Sequence, residues 1–438
     1  MRTSSATTPF PPELRLLVLA RCVNRLGGFS MAFLGVLLVR ELGAGAGETA
    51  LVLTCFGVAT IPSRLLGGHL ADAWGHRPTM LLGLVGCALA QLVVAVAPDL
   101  SWALVGAVLL GLAYEVVEPP TQALVSDLMP EQARAFGYSA LNASLAVAGV
   151  LAGVVAAAVA GLGLRWLFVV DAATCLACAA LVAARLRLPP PVGAPVAGRT
   201  SGDDRDDRHE RDRTADRGGA PHRQRTRDAR GRWTAALRDR RLRPVVGFGT
   251  VVATVTMVVV FGVPLLVEQR GLAPAVTGWV LAAGAAASVP GAWLAAVLRR
   301  RTDDTGLLLI GEVTAAAGLG TIALTSQAAG LAAGLVAFDV GSLLVIATTM
   351  AFAGTIAPEG SRGTYLALLG LTWGLATSVA PLVLTTLGTA YGPGAPFTAA
   401  ALALLGTAFV RAAQRPRLRR RTSLGGLPPA YDREGSTT

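Results

Sequence analysis

The 438-residue chain has no lysine: every one of its 38 Lys and Arg positions is arginine, against 27 Asp and Glu, for a formal net charge of +11. A basic surplus can mark a surface for nucleic acid or anionic lipid. Here Ala, Gly, Val, Leu and Arg, all with GC-rich codons, are abundant together, so genome composition accounts for the bias and no nucleic-acid partner is expected. Charge of any kind is scarce. Only 15% of residues are charged, 53% are hydrophobic and mean hydropathy is +0.57, which excludes an ordinary soluble domain and puts the chain in the membrane class. Histidine is nearly missing too: His69, His76, His209 and His222 are the whole set, and none sits with partners inside a long apolar run. With no metal cluster, nucleophile–base pair or nucleotide loop, the sequence points away from an enzyme and calls for no metal or cofactor. Five cysteines lie in apolar runs; Cys175 and Cys178 have the spacing of a redox or metal pair but read as packing in mid-span. No secretory signal is evident, since Met1 to Pro12 leads into an apolar run too long for one.

What the chain does have is apolar runs of roughly 20 residues, the length of a bilayer-crossing helix. Six come first, at Leu14–Val39, Ala50–Ala71, Thr79–Ala97, Trp102–Val117, Ala140–Ala160 and Trp166–Ala184. Six more follow at Val245–Val267, Gly278–Val297, Leu307–Thr325, Ala328–Ala353, Tyr365–Leu387 and Pro396–Val410. Arginine placement orients them. Alternate loops carry Arg2, Arg77, Arg134, the central stretch, Arg299 to Arg301, Arg362 and the tail; the other side has little beyond Arg40, Arg165 and Arg270. By the positive-inside rule the first side is cytoplasmic, with both termini inside a plasma membrane.

Between the two sets, Pro189–Arg232 is mixed-charge and nearly free of apolar residues, so disorder is expected there, followed by a surface amphipathic helix at Trp233–Arg243. The expected organisation is an N-terminal bundle at 1–188, a linker at 189–243, a C-terminal bundle at 244–414 and a disordered tail at 415–438. The halves also repeat. Ile61-Pro62 matches Val289-Pro290, and the Pro130-Glu131…Arg134 stretch matches Pro358-Glu359…Arg362, both at an offset of 228 (290 − 62 and 358 − 130). Two six-span units of the same in/out sense imply parallel repeats, with a pathway between them near the midplane.

On these features the chain resembles the major facilitator superfamily, from about Pro12 to Arg415. The most specific match is the polar loop from Gly68 to Arg77. The family signature there is Gly, three residues, Asp, a base, any residue, Gly and two bases; Gly68, Asp72, Gly75 and Arg77 fit, while Ala73 and His76 stand where bases are usual. The resemblance implies an all-α membrane fold of twelve helices in two parallel-repeat bundles. It also implies a latch that holds the outward-open state. In it Gly68 lets the second helix approach the other half, Asp72 faces a helix N-terminus, Gly75 turns the chain, and Arg77 pairs with Asp127 at the end of the fourth span.

Ionisable residues at bilayer depth are costly and usually face a cavity. Arg21, Asn24 and Arg25 lie in the first span; Glu115 and Glu118, three apart, share a face of the fourth. Because these two helices line the cavity in this family, an Arg21/Arg25–Glu115/Glu118 cluster is expected. A carboxylate there would load and release a proton as the cavity opens and closes. Asp339 in the tenth span is a second proton or cation site; Glu312 and Asp171 read as structural, and Asn142 and Trp373 as possible substrate contacts. The exporters' fifth-helix signature is only partly present, as Gly149 and Gly153. The best likeness is to bacterial drug exporters, and the apolar cavity implied suits a hydrophobic or weakly cationic small molecule, moved by a monomer in exchange for protons. An uptake symporter is the alternative; a non-transporting receptor or scaffold with the same fold is another.

Overall fold

The computed structural model describes residues 11–130, 133–186, 238–356 and 362–424. The central linker core and most of the expected amphipathic helix fall outside these residues, as does the chain beyond 424. The described residues are helical and contain no strand. Spanning segments adopt helices because only an internally bonded backbone survives in hydrocarbon. Among the described residues, twelve helical spans are long and apolar enough to cross a membrane, six on each side of the linker.

The first span is two helices, α1 (Pro12–Gly27) and α2 (Ser30–Arg40), parted at Gly28-Phe29. The N-terminus of α2 is met by the buried Asp171, which accepts from the Ser30 hydroxyl and backbone N–H and from Gln91. A carboxylate at a half-helix N-terminus satisfies the free donors and suits the helix dipole. The next spans are α3 (Ala46–Trp74) and α4 (His76–Ala95). The fourth span is again composite: α5 (Leu100–Tyr114), a 3₁₀ turn at Glu115–Val117, and α6 (Glu118–Leu128). It runs eleven residues past the expected end at Val117. Pro119 and Pro120 break the pattern but do not end the span, because proline is tolerated in a first helical turn. Then come α7 (Arg134–Ala160) and α8 (Leu164–Arg185). The second half consists of α9 (Leu242–Gln269), α10 (Pro274–Arg299), α11 (Asp304–Leu324), α12 (Ala328–Ile356), α13 (Arg362–Tyr391) and α14 (Ala395–Leu424). The last helix thus continues past Arg415.

The halves meet along two long seams, α3 with α13 and α7 with α10, and more briefly where α2 packs on α9. The seams are built from small residues that let backbones approach. A Cβ on Gly57 would stand 2.6 Å from the Thr377 carbonyl carbon, and one on Gly153 would stand 2.7 Å from the Ala282 Cα. The two seams are repeats of one another. Gly57 meets Thr377 across one, and Gly149 faces Ala285 across the other; the mates lie 228 apart (285 − 57 and 377 − 149), the offset of the sequence repeat. Arg40 and Glu268, also 228 apart, pair at 3.3 Å across the approximate two-fold axis.

Candidate functional site

The arginine-rich face carries the Gly68–Arg77 loop. Gly75 makes the turn there with φ of +91°, a left-handed backbone that favours glycine. The rest of the loop differs from expectation. A Cβ on Gly68 would meet nothing within 4 Å, so this residue approaches no helix; its neighbour Gly67 packs instead on Val116 of the same half, where a Cβ would stand 2.7 Å from the carbonyl oxygen. Asp72 is exposed rather than set against a helix N-terminus. Arg77 donates to the Ala183 carbonyl at the end of α8, and Asp127 is met by His76 Nε2 at 3.1 Å. The Arg77–Asp127 pairing is therefore replaced: His76, which starts α4, is one residue nearer the turn and takes the carboxylate, while the longer Arg77 reaches across to α8.

The opposite face carries two ion pairs. Arg40 pairs with Glu268 between the halves, and Arg165 pairs with Glu41 at 2.7 Å and caps the Ala95 and Ala97 carbonyls at 2.9 and 2.8 Å. At the arginine-rich face, by contrast, a Cβ on Gly68 would meet nothing and Asp72 is exposed.

At bilayer depth the expected charge cluster forms in a different pairing. Arg21 Nη2 meets Glu118 Oε2 at 2.9 Å, and its Nη1 donates to Asn24 Oδ1 at 3.2 Å. Glu115 is not held by Arg25. Its partner is Arg64 of α3, at 3.3 Å, and the Glu115 backbone N–H donates to Ser63 Oγ at 3.0 Å. Arg25 is exposed, pointing toward the α7–α10 seam, where a Cβ on Gly149 would stand 3.9 Å from its Nε. Glu115 opens the 3₁₀ turn of the fourth span and Glu118 directly follows it, so this break in the helix, just before Pro119 and Pro120, carries both ion pairs. Arg64 was legible as an arginine inside a span, but its proximity to the polar loop disguised its depth.

In the second half, the Asp339 carboxylate packs onto Gly284 of α10, in the space a Cβ there would occupy. Beside it an apolar groove of about 420 Å³ is lined by Ala283, Ala287, Pro290, Val336 and Val340. Trp373 is half-buried against a small apolar cavity with Val252, Met350 and Leu369, inside the C-terminal bundle; Asn142 is exposed on α7. Glu312 is fully buried, bonded to Thr407 at 2.9 Å and to Arg411 at 3.3 Å, and the Arg411 guanidinium lies 4.5 Å from the Phe248 ring centre. It is a structural ion pair. Cys175 and Cys178 are buried and free, and Cys175 accepts from Asn24 at 3.2 Å. Outside the spans, the Tyr365 hydroxyl donates to Asp239 at 2.6 Å and holds that carboxyl below its usual range.

Two six-helix bundles related by a repeat, with paired charges inside the N-terminal one, define a multi-pass membrane protein with a transporter-like fold. The matching family model agrees: residues 17–381 match the Major Facilitator Superfamily, and the chain belongs to it. Membership of this family places it among membrane transporters rather than enzymes. Among curated relatives, it is 34% identical over 118 residues to the puromycin resistance protein Pur8 of Streptomyces alboniger, covering 26% of this chain and 24% of that one. It is 30% identical over 126 residues to the uncharacterized MFS-type transporter YqjV of Bacillus subtilis (strain 168), covering 28% of this chain and 31% of that one. The chain thus spans under a third of the length of these relatives. Among solved structures, a POT family transporter in complex with 5-aminolevulinic acid superposes with a TM-score of 0.72 at 13% identity, covering 93% of this chain and 96% of that one. The nucleoside transporter NupG gives 0.70 at 12% identity, covering 92% and 99%. These likenesses establish the fold.

Proposed function

We propose that this transporter exports a hydrophobic or weakly cationic small molecule in exchange for protons, as a monomer, by alternating access in the plasma membrane. The observation that carries this reading is the pair of carboxylate–arginine contacts, Arg21–Glu118 and Arg64–Glu115, on either side of the kink in the fourth span. Carboxylates desolvated at depth favour the neutral form, and an adjacent guanidinium favours the charged one. A conformational change that alters either influence moves a proton. Asp339, set against Gly284 beside an apolar groove, is the further candidate for a proton or a substrate cation. Arg21, Asn24, Arg25, Asn142 and Trp373 are assigned to the substrate pathway, and Gly68, Asp72, Gly75, Arg77 and Asp127 to a latch that engages when the arginine-rich face closes. That face is assigned to the cytoplasm, with both termini, on the positive-inside rule.

The bundles are assigned to 1–188 and 244–414, with 189–243 as a tether. Export is favoured over uptake by the named resistance relative, although the shared segment is short. The test is flux of radiolabelled puromycin into inside-out vesicles, with and without an imposed pH gradient, acid inside. Gradient-dependent accumulation that is lost in Glu118→Gln supports proton-coupled export. Accumulation driven only by an inward co-gradient of protons would instead make the chain a symporter.

A further inference from the structure

The α3–α13 seam ends in a fork, and one side chain stands in it. From the Arg40 face the contacts run from Ala46, whose carbonyl accepts from Thr385 at 3.4 Å, through Gly57 with Thr377 and Ile61 with Gly374, to Arg64 with Gly370. One turn further, Gly68 meets nothing. At the last rung a single nitrogen, Arg64 Nη1, donates both to Glu115 Oε2 at 3.3 Å and to the Gly370 carbonyl at 3.5 Å. The first acceptor belongs to the N-terminal half and the second to the C-terminal half. Gly370 has no side chain to obstruct this: a Cβ there would stand 3.0 Å from the Arg64 Cζ. The kink of the fourth span is tied to the same place, because Ser63, the residue before Arg64, accepts from the Glu115 N–H.

We propose that Arg64 is the positioning residue through which protonation of Glu115 reaches the contact between the two halves. This rests on the proton-coupled reading above and names the element that responds. With Glu115 ionised, its carboxylate holds the guanidinium on the fourth span, and the guanidinium holds α13 at the Gly370 carbonyl, so the fork stays where it is. When one proton binds the Glu115 carboxylate, Arg64 keeps its charge but loses its counter-ion. The rung to Gly370 is then no longer fixed, and the seam is free to extend toward Gly68 or to part. The charged and titratable groups around Glu115 are Arg64 on α3, Glu118 on α6, Arg21 on α1, Cys87 on α4 and its neighbour Tyr114; α13 contributes the Gly370 carbonyl.

The test is the inter-half distance at the arginine-rich face, read by electron–electron resonance from spin labels at Trp74→Cys and Arg300→Cys as pH is varied. Both sites are exposed. Cys22→Ser and Cys55→Ser remove the two native cysteines that are not buried. The expected wild-type result is a pH-dependent shift between two distances. Gly370→Ala, which leaves every charge in place, moves the midpoint by about one pH unit or more. Arg64→Gln and Glu115→Gln abolish the pH dependence, and Arg64→Lys restores it in part. Titration of folded, monodisperse Gly370→Ala and Arg64→Gln with the wild-type midpoint would overturn the role of Arg64 while leaving proton coupling standing. A wild-type protein whose distances ignore pH would overturn both.

Discussion

Whether a charged side chain inside the bilayer is structural or functional is decided here by what closes around it. Glu312 is fully buried, with Thr407, Arg411 and the Phe248 ring completing its surroundings on a single bundle. Removing one partner of such a pair leaves an uncompensated charge. Glu312→Gln should therefore cost about 3 kcal/mol, read as a fall in thermal unfolding temperature in detergent, with transport by the surviving protein unchanged. Glu115 and Glu118 differ: each has an arginine partner and partial exposure, at a kink and beside the inter-half seam. A cluster of Arg21 or Arg25 with Glu115 or Glu118 was expected because the family resemblance sets the first and fourth spans side by side, and Arg21–Glu118 is the member of it that forms. The Arg64–Glu115 contact was not legible, because which arginine reaches Glu115 depends on where the 3₁₀ turn swings that carboxylate. The latch residues show the same limit. The motif located the turn at Gly75, but the choice between His76 and Arg77 as partner of Asp127 depends on side-chain reach across three helices.

At the scale of helices, the kink in the fourth span and the glycine seams carry the mechanical argument. Pro119 and Pro120 remove two backbone donors, and the chain answers with a 3₁₀ turn between α5 and α6. Replacing both with alanine should straighten the span and draw Glu115 away from Arg64. The expected result is folded protein with transport reduced at least tenfold, measured as initial flux in proteoliposomes. The seam makes a paired prediction. Gly278→Leu drives a side chain into the Ala157 backbone and should destabilise this conformation by about 2 kcal/mol. Gly68→Val meets open space and should leave thermal stability unchanged, yet slow transport, since the proposed latched state needs that space. Equal thermal losses in the two variants would contradict the assignment of Gly68 to the other state. The twelve spans themselves were readable from hydropathy. Their ends were not, since the fourth passes through two prolines and the last runs on through an arginine-rich stretch to Leu424.

For the molecule as a whole, one repeat produces two unlike halves. The offset of 228 sets both seams, yet the fourth span is kinked while its repeat mate, α12, is one continuous helix. Charge follows the same asymmetry: the N-terminal half holds two ion pairs at the kink, and the C-terminal half places Asp339 against Gly284. Arg40–Glu268 joins the halves at one face, while a Cβ on Gly68 at the other would meet nothing. The proposed coupling step therefore belongs to the N-terminal half. The measurement that tests this most directly is proton movement in proteoliposomes after addition of substrate, followed with a pH-sensitive dye, for wild type and for Glu115→Gln and Glu118→Gln. The expected result is substrate-dependent proton movement in the wild type and its loss in at least one of the two variants, with binding of substrate retained. Undiminished proton movement in both variants, or substrate flux with no proton movement in the wild type, would contradict the account.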